Sequence, residues 1–364
     1  MFGLLQAILW VRWVTYGGWR ALFAVWAAHR RACADATGMG AGQQLMRLVR
    51  LAIGRAMPPA AAYQFGVIAT PANGWNFIAD RHVLAFHRWR NARFPGAAAA
   101  AELLADKQKT ALLLAARGIP TATSLDHVVV IDPALLKALA RRHGRLFCKL
   151  RSGSRGAGAF SYWLSQAETG QERLAGMRLS GESLDNDDAV LSAWRALCAQ
   201  GEPLVQAVLR NHPLLAPAAP EGVAITVRLI TRLGEDGLKL ACACLEVPGA
   251  AGTDGRRPGY IMVPFDLASG RLFPLPDPCG IAAQQTRQAA ELVGRMGGEP
   301  VPFWQEMADH SLAAHAAIAD LWAVAWDWVV TPEGPVLLEG NTGFSGVVPQ
   351  LLMGGFLDQR SGWM

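Results

Sequence analysis

The sequence predicts an α+β protein whose N-terminal lobe is mostly helical. Apolar residues recur at helical spacing over residues 45–53, whereas short apolar segments, several with strand-like alternation, are frequent from Leu146 onward. Gly and Pro separate many of those segments, as turns separate the strands of an antiparallel sheet. Of the 364 residues, 52% are apolar and 17% are charged, which excludes a mainly disordered chain. This length is sufficient for two or three packed lobes.

Charge and cysteine content limit the class of partner. Lys and Arg outnumber Asp and Glu by 34 to 29, and this mild excess fits an anionic ligand or an anionic membrane surface. No motif of basic residues with interleaved aromatics is present, so we expect no nucleic-acid partner. Cys242 and Cys244 form a Cys-x-Cys pair, but no second pair or nearby His completes a zinc site. The six cysteines therefore predict small buried residues in a reducing, cytoplasmic compartment.

The first segment, residues 1–28, is strongly apolar and rich in Trp. Arg12 and Arg20 divide it into pieces shorter than the ~18 apolar residues that a membrane span needs. It also lacks the charge and cleavage pattern of a secretory signal. Two interpretations remain open. The segment is either an interfacial helix, peripheral to the inner face of the membrane, or an amphipathic helix packed on the protein.

Residues 42–93 are predicted to be mostly helical, with turns at Pro58-Pro59 and at residues 71–74. Basic side chains collect near the end of this region, and a solvated helix face is the favoured interpretation. The alternative is a docking surface for an acidic carrier or a phosphorylated acceptor. The residues concerned are Arg81, His82, His87, Arg88, Arg90 and Arg93.

A helix is predicted from Asp106 to about Ala116. Asp106 is a good N-cap, Gly118 a good C-terminal stop, and Pro120 blocks continuation of the helix. A short strand at residues 128–131 and a helix at residues 133–142 are predicted to follow.

A glycine-rich loop then joins two predicted strands. Residues 146–150 form the first strand, residues 151–158 read Arg-Ser-Gly-Ser-Arg-Gly-Ala-Gly, and residues 159–164 form the second. Glycines allow backbone N–H groups to approach a polyanion closely. The pattern is neither a Walker loop nor a dinucleotide-binding fingerprint, because no long helix follows. The alternative is a glycine-rich hairpin tip without a ligand.

The C-terminal part is predicted to form antiparallel strands, one helix and a closing hairpin. Strands are predicted at residues 203–209, 224–231, 238–247 and 260–265, with a glycine-rich loop at residues 249–258 and a helix at residues 303–323. On the helix, Trp304, Met307, Leu312, Ala316 and Ala319 lie near helical spacing.

The hairpin runs from Trp326 to Asn341, with its turn in residues 331–335. Glu339 and Asn341 are two residues apart, so they share a face, and Asp327 on the partner strand can lie opposite them. Two carboxylates and an amide oxygen at one point suit Mg²⁺, which takes its remaining ligands from water and phosphates. The alternative is an ordinary hairpin with solvated acids.

These motifs together resemble the ATP-grasp superfamily, in particular its sugar-transfer-associated branch, which accompanies bacterial surface polysaccharide genes. The resemblance covers about residues 106–345. It implies an ATP-grasp fold, in which two α+β subdomains grip ATP. The expected domains are a helical lobe at residues 1–104, a subdomain with the glycine-rich loop at residues 105–202, and a subdomain with the metal-binding hairpin at residues 203–364.

The resemblance also implies roles for individual residues. Arg228, within the branch's Thr-x-Arg-x-x-Thr signature, and Lys149 are the expected catalytic residues. Arg228 is expected to stabilise charge on the transferring phosphoryl group, and Lys149 to contact the α and β phosphates. The metal ligands, for Mg²⁺ or Mn²⁺, are Asp327, Glu339 and Asn341. The expected ATP-binding residues are Lys107, Lys149, Ser152, Gly153, Ser154, Arg155, Gly156, Gly158, Gln206, Val208 and His212.

The chain departs from the superfamily pattern at several points, and its glycine-rich loop at residues 249–258 matches the branch only in part. Its N-terminal part lacks clear strands of a Rossmann-like lobe. Gln206 stands where the branch commonly has an acid. Ala325 stands where many superfamily enzymes have an Arg, two residues before the metal-binding Asp.

The activity that the resemblance implies is an ATP- and Mg²⁺-dependent carboxylate–amine ligase that forms a C–N bond through an acyl phosphate. Its partners are a small-molecule carboxylate and an amine, one of them a sugar or polysaccharide precursor. Alternatives are a phosphotransferase, a nucleotide-binding scaffold with little catalytic activity, and a structural adaptor at the membrane surface.

Overall fold

A computed structural model describes residues 7–8, 11, 15, 18–55, 57–70, 74–125, 132–153, 156, 158–166, 170–219, 222–248, 260–358 and 363. The helices are α1 Gly18–Thr37, α2 Ala41–Arg55, α3 Pro59–Gln64, α4 Asp80–Asn91, α5 Ala97–Ala105, α6 Lys107–Ala115, α7 Pro133–His143, α8 Asp187–Cys198, α9 Ala283–Arg295, α10 Trp304–Ile318 and α11 Val347–Met353. The strands are β1 Ser124–Leu125, β2 Leu146–Leu150, β3 Phe160–Gln166, β4 Glu172–Arg178, β5 Ser183–Leu184, β6 Pro203–Ala207, β7 Thr226–Gly234, β8 Gly237–Pro248, β9 Tyr260–Pro264, β10 Ala323–Thr331 and β11 Gly334–Asn341.

Helices α1 to α3 pack around one apolar core that also contains Cys279 from the C-terminal part. Inside this core, the Tyr63 hydroxyl donates to Gln44 Oε1 at 2.9 Å, and Gln44 Nε2 donates to the carbonyls of Arg30 and Met39. These bonds satisfy the buried amide, which would otherwise be costly to bury. Within the described residues, no helix is both long enough and apolar enough to cross a bilayer.

Helix α4 carries five of the six residues of the basic cluster, and Arg93 follows just beyond it. The favoured interpretation of a solvated face is wrong for three of the six. His82, His87 and Arg90 are buried. The reason is that α4 packs against a C-terminal aromatic core: His87 stacks on Trp322, and the Arg90 guanidinium lies 5.4 Å from the centre of the same ring. The sequence pattern missed this contact because Trp322 lies far away along the chain.

The first sheet has six antiparallel strands in the order β1-β6-β2-β3-β4-β5. Helices α7 and α8 pack on it around a core that includes Trp194, Phe160 and Leu146. The loop between β2 and β3 is the glycine-rich segment. The predicted strand at residues 128–131 lies outside the described residues.

The second sheet has five antiparallel strands in the order β11-β10-β7-β8-β9. Trp326 and Trp328 on β10 are fully buried in a core that also includes α10. Their ring nitrogens donate to Thr231 Oγ1 and Ser311 Oγ, so both large rings are buried without an unpaired N–H group. The predicted loop at residues 249–258, between β8 and β9, lies outside the described residues.

The helix predicted for residues 303–323 is shorter than expected. It ends at Ile318, where Ala319 and Asp320 adopt φ values of 49° and 53°, and β10 already begins at Ala323. Ala316 and Ala319 are exposed rather than part of the packed face. An apolar strand directly after an alanine-rich helix cannot be separated from it by hydrophobic periodicity alone.

Candidate functional site

The closing hairpin brings Asp327 opposite Glu339 of β11, and on its other side opposite Arg228 of β7. Directly opposite residues of neighbouring strands point to the same face of a sheet. The three charged side chains therefore form one row across the second sheet.

A β-bulge makes this row possible. The hairpin turn is short, with Thr331 paired to Gly334, and regular pairing from that turn would place Leu338 opposite Asp327. The register shifts instead between Asp327 and Trp328, so that Leu338 is the extra residue and Glu339 faces Asp327. Without the bulge, Glu339 and Asn341 would point to the other face.

Asn341 completes the convergence of the three predicted metal ligands. Its Nδ2 lies 3.1 Å from Asp327 Oδ2 and 3.3 Å from Glu339 Oε1. Two carboxylates and an amide are ligands that Mg²⁺ accepts, so the donor set fits a small divalent cation. Among the described residues, no cluster of three or more His, Cys, Asp or Glu side chains could hold a metal ion.

Arg228 holds Asp327 in a bidentate ion pair. Its Nε donates to Oδ1 at 2.8 Å and its Nη2 to Oδ2 at 2.9 Å, while Nη1 donates to Glu246 Oε1 at 2.7 Å. The side chains of Arg228, Asp327 and Glu246 are 22%, 9% and 12% exposed. Glu246 is a member of the site that the motifs did not identify. The available signal was a lone acid in the apolar segment of residues 238–247.

Burial controls the protonation of this group. Burial lowers the pKa of Arg228, but the charges of Asp327 and Glu246 raise it by more, so Arg228 remains protonated. Burial raises the pKa of Asp327 and raises that of Glu246 to about 7, while Arg228 opposes both shifts. The guanidinium is thus the main counter-charge for two buried carboxylates.

Two lysines reach the carboxylates from other elements. Lys107 is at the start of α6, and its Nζ lies 3.5 Å from Glu339 Oε2. Lys149, on β2 of the first sheet, is close enough to Glu339 and Asp327 that both raise its pKa. Burial has the larger effect and, with the charge of Lys107, lowers that pKa to about 8. Carboxylates of one sheet therefore face ammonium groups that lie on the other sheet and on α6.

Helix α6 is fixed at both ends, which explains the position of Lys107. Asp106 caps the helix by accepting from the Lys109 N–H, and both its oxygens accept from Arg151 at 2.8 Å. The hydrogen bonds from Arg151 are the main reason that the pKa of Asp106 falls to about 2. Beyond the helix, the Leu337 N–H donates to the Pro120 carbonyl, which ties this segment to the hairpin. The predicted cap and stop of this helix are confirmed.

The glycine-rich loop contacts the same lysine. Lys107 Nζ donates to the Gly153 carbonyl at 2.6 Å, and Ser152 pairs with Asp106 in an isolated bridge. Gly156 and Gly158 have φ values of 57° and 70°, which favour glycine. Ser154 and Arg155, both predicted to bind ATP, lie outside the described residues.

The remaining predicted ATP-binding residues lie elsewhere. Gln206 is buried and donates through Nε2 to the Ala122 carbonyl, and the Val208 N–H donates to the Arg145 carbonyl. The His212 N–H donates to the Val330 carbonyl, close to the hairpin turn. None of the three has a hydrogen bond or ion pair to the described carboxylates or lysines of the site. Their roles stay predictions.

The family model for sugar-transfer associated ATP-grasp proteins matches residues 91–361, which is well over half of the chain. The chain belongs to this family. The predicted α+β ATP-grasp fold with a mostly helical N-terminal lobe is confirmed. Ala325 of this sugar-transfer-associated ATP-grasp protein lies opposite Asn341, on the face that carries Asp327.

Several solved structures are distantly similar to this ATP-grasp protein. ATP-grasp ligase PsnB with its minimal precursor is 15% identical over 76% of this chain, with a TM-score of 0.37. D-alanine-D-alanine ligase from Coxiella burnetii is 12% identical over 72% (TM-score 0.39), and biotin carboxylase from Campylobacter jejuni is 12% identical over 73% (TM-score 0.44). The matches span 61%, 56% and 48% of those three chains. No curated protein matches the sequence.

Proposed function

We propose that this protein is an ATP- and Mg²⁺-dependent carboxylate–amine ligase that acts on a sugar or polysaccharide precursor. The observation that carries the proposal is the convergence of Asp327, Glu339 and Asn341 on one sheet, with Lys107 of α6 lying 3.5 Å from Glu339. Lys149 of the other sheet adds a second ammonium near enough for Glu339 and Asp327 to raise its pKa. Carboxylates suit a divalent cation, and ammonium groups suit the phosphates that the cation would neutralise. The family's association with sugar transfer supports the substrate class.

In this proposal, Asp327, Glu339 and Asn341 hold Mg²⁺ or Mn²⁺. The cation, when bound, supplies positive charge next to the phosphates. Lys107 and Lys149 bind the phosphate oxygens, and the backbone around Gly153 and Gly156 covers them. Each lysine exchanges part of its attraction to Glu339 for attraction to the nucleotide. Gln206, Val208 and His212 remain candidates for contacts with the rest of the nucleotide.

Arg228 has two roles in the proposal. Its fork fixes the orientation of Asp327, as an outer-shell partner orients a metal ligand. Its fixed charge lies on the face where phosphoryl transfer would occur, and it stabilises negative charge that develops there.

The proposed reaction has two steps. The substrate carboxylate attacks the γ-phosphorus of ATP, which gives an acyl phosphate and ADP. The amine then attacks the acyl carbon and releases inorganic phosphate, which leaves an amide. The protein's contribution is to position the reactants and to balance charge, and no covalent intermediate with a protein side chain is required.

The test is ADP release from the purified protein over a panel of sugar acids and amines, followed by trapping with hydroxylamine. A ligase gives ADP in an acid-dependent manner, and hydroxylamine converts the acyl phosphate into a hydroxamate. Glu339→Gln is the inactive control. If ADP forms without any hydroxamate and the acceptor becomes phosphorylated, the protein is a phosphotransferase instead.

A nucleotide-binding scaffold with little catalysis is the second candidate. It is favoured by the Arg228 fork, which engages both oxygens of Asp327, and by Ala325, where many superfamily enzymes have an arginine. Tight binding of Mg-ATP without ADP release over the whole panel would establish it. Cytoplasmic location, the domain boundaries and membrane contact by residues 1–28 stay predictions.

A further inference from the structure

The positive charge of this protein is concentrated in its first 79 residues. That stretch contains seven Arg, no Lys and no Glu, and its single acid is Asp35, which gives a net charge of +6. The whole chain has a net charge of +5, so residues 80–364 together carry −1. The candidate catalytic residues all lie in the nearly neutral remainder. The basic excess therefore lies in a part of the chain separate from the candidate catalytic residues.

Part of this charge lies on the outer surface of the helical lobe. Arg20 and Arg31 on α1 and Arg50 on α2 are exposed. None of them forms an ion pair with another residue that the structure describes. An arginine without an acidic neighbour is free to interact with an external anion.

Large apolar side chains are exposed on the same two helices. Phe23 and Trp19 on α1 are 50% and 38% exposed, and Met46 and Ile53 on α2 are 54% and 44% exposed. Met46, Arg50 and Ile53 are spaced by four and three residues, so they lie along one side of α2. Ile8 and Val11, which are helical, are 56% and 52% exposed. The opposite sides of α1 and α2 contribute Leu22 and Leu48 to the core of the lobe.

We propose that the outer faces of α1 and α2 bind the surface of an anionic lipid bilayer. These helices combine aromatic and aliphatic side chains with arginines and contain almost no acidic residue, as interfacial helices do. Such a helix inserts its apolar side chains below the lipid headgroups, and its arginines contact the headgroups. A soluble acidic protein would complement the arginines but would leave Ile8, Val11, Phe23 and Met46 without a reason to be exposed together. The proposed membrane-binding surface therefore reaches beyond residues 1–28, as far as Ile53 on α2.

The test is co-sedimentation of the full-length protein with vesicles of phosphatidylcholine, or of phosphatidylcholine with phosphatidylserine. The protein should partition strongly only onto the anionic vesicles. Each basic residue near such a surface contributes about fivefold to the partition coefficient. The triple variant Arg20→Gln, Arg31→Gln, Arg50→Gln should therefore lose about a hundredfold. The matched control neutralises three exposed arginines elsewhere, Arg142, Arg195 and Arg295, and should keep the wild-type partition.

A second pair of variants tests the apolar contribution. Phe23→Ser should lower partition onto anionic vesicles by roughly tenfold, because its ring no longer enters the bilayer. Leu112→Ser, at a leucine that is 66% exposed on α6, should not. Circular dichroism establishes that each variant is folded.

Two outcomes would overturn the proposal. The first is equal partition of the two triple variants, or no binding of the wild type to anionic vesicles. The second is binding that Phe23→Ser leaves unchanged and that a soluble polyanion such as heparin abolishes, which would assign the surface to an acidic soluble partner. Neither outcome bears on ADP release, so failure here is distinct from failure of the proposed ligase activity.

Discussion

The two halves of the candidate site are built differently. In the carboxylate half, neighbouring strands set the position of Asp327, Glu339 and Arg228, and in the Arg228–Asp327 ion pair Asp327 is buried and Arg228 mostly so. In the loop half, Lys107 and the backbone around Gly153 depend on the start of one helix and on a glycine-rich loop. Strand register fixes the carboxylate half before any ligand binds. The loop half is held by a small number of hydrogen bonds that are more exposed to solvent.

In the proposed function, the two halves have different tasks. A rigid carboxylate group is needed to hold a cation in fixed geometry, and the cost of burying it is offset by Arg228. A loop that covers phosphates has to admit the nucleotide and release the product, so weaker and more exposed contacts suit it. Loss of the Arg228–Asp327 pair should therefore cost much more stability than loss of a contact in the loop half, whereas nucleotide affinity should fall in both cases.

The largest effect is expected for Asp327→Asn. It leaves Arg228 buried with only Glu246 as a counter-charge, so the free energy of unfolding should fall by about 3–5 kcal/mol. Affinity for Mg-ATP should fall by at least about tenfold, because the proposed metal ligand Asp327 is weakened. Urea unfolding and calorimetric titration measure the two quantities.

Glu339→Gln is the matched control for Asp327→Asn. The Glu339 side chain is 27% exposed and lies 3.5 Å from Lys107, so its substitution should cost less than about 1 kcal/mol of stability. Affinity for Mg-ATP should nevertheless fall as it does in Asp327→Asn. Equal losses of stability in the two variants would contradict the structural role assigned to the Arg228 pair.

An intermediate effect is expected for Lys149→Met. Burial disfavours the ammonium, as the lowered pKa shows, so the variant should keep wild-type stability within about 1 kcal/mol. A charge-assisted hydrogen bond to phosphate is worth about 1.5–3 kcal/mol, so affinity for ATP should fall by roughly tenfold to a hundredfold.

Lys137→Met provides the control for Lys149→Met. Lys137 pairs with Asp187 at 2.6 Å on the far side of the first sheet, so its loss should reduce stability slightly and leave nucleotide affinity unchanged. If Lys149→Met bound ATP as the wild type does, Lys149 would have no part in the site.

Local sequence signals predicted most of the elements and the convergence of the hairpin ligands. Asp106 and Gly118 delimit their helix through capping chemistry, and Glu339 and Asn341 share a face because strands have a period of two. The bulge at Leu338 was not predictable, although the pairing of Asp327 with Glu339 depends on it. A register shift is set by packing on both faces of the sheet, and residue spacing does not reveal it.

Contacts between distant segments were the other gap. The sequence indicated Arg228 as a phosphate-stabilising residue, but its partners Asp327 and Glu246 come from two further strands. Likewise, His87 looked solvated, yet it donates to the Phe344 carbonyl, and burial lowers its pKa to about 4. Each case involves a polar side chain whose burial is decided by residues far away in the chain. Composition and periodicity carry no information about such contacts.

The smallest effect is expected in the loop half, at Asp106. Two substitutions of this residue distinguish its capping of α6 from its ion pair with Arg151. Asp106→Ala removes the cap and the Arg151 pair, and should cost about 1–2 kcal/mol at pH 7. Asp106→Asn retains a good cap and loses only the pair, so it should cost less than about 1 kcal/mol. In both variants, Lys107 is less firmly placed, and ATP affinity should fall more for Asp106→Ala.

The pH dependence of the Asp106 variants identifies the pairing component. The pKa of Asp106 is about 2 in the folded protein, below its ordinary value of 3.8. Its stabilisation is therefore fully present above the ordinary value and is lost as the pH falls from there towards 2. Between pH 7 and pH 3, urea unfolding should show that the free energy of unfolding of the wild type approaches that of Asp106→Asn. Asp106→Ala should remain less stable than Asp106→Asn over the whole range. A constant difference between the wild type and Asp106→Asn over that range would mean that the Arg151 pair contributes nothing, and that the cap alone holds Lys107 against the loop.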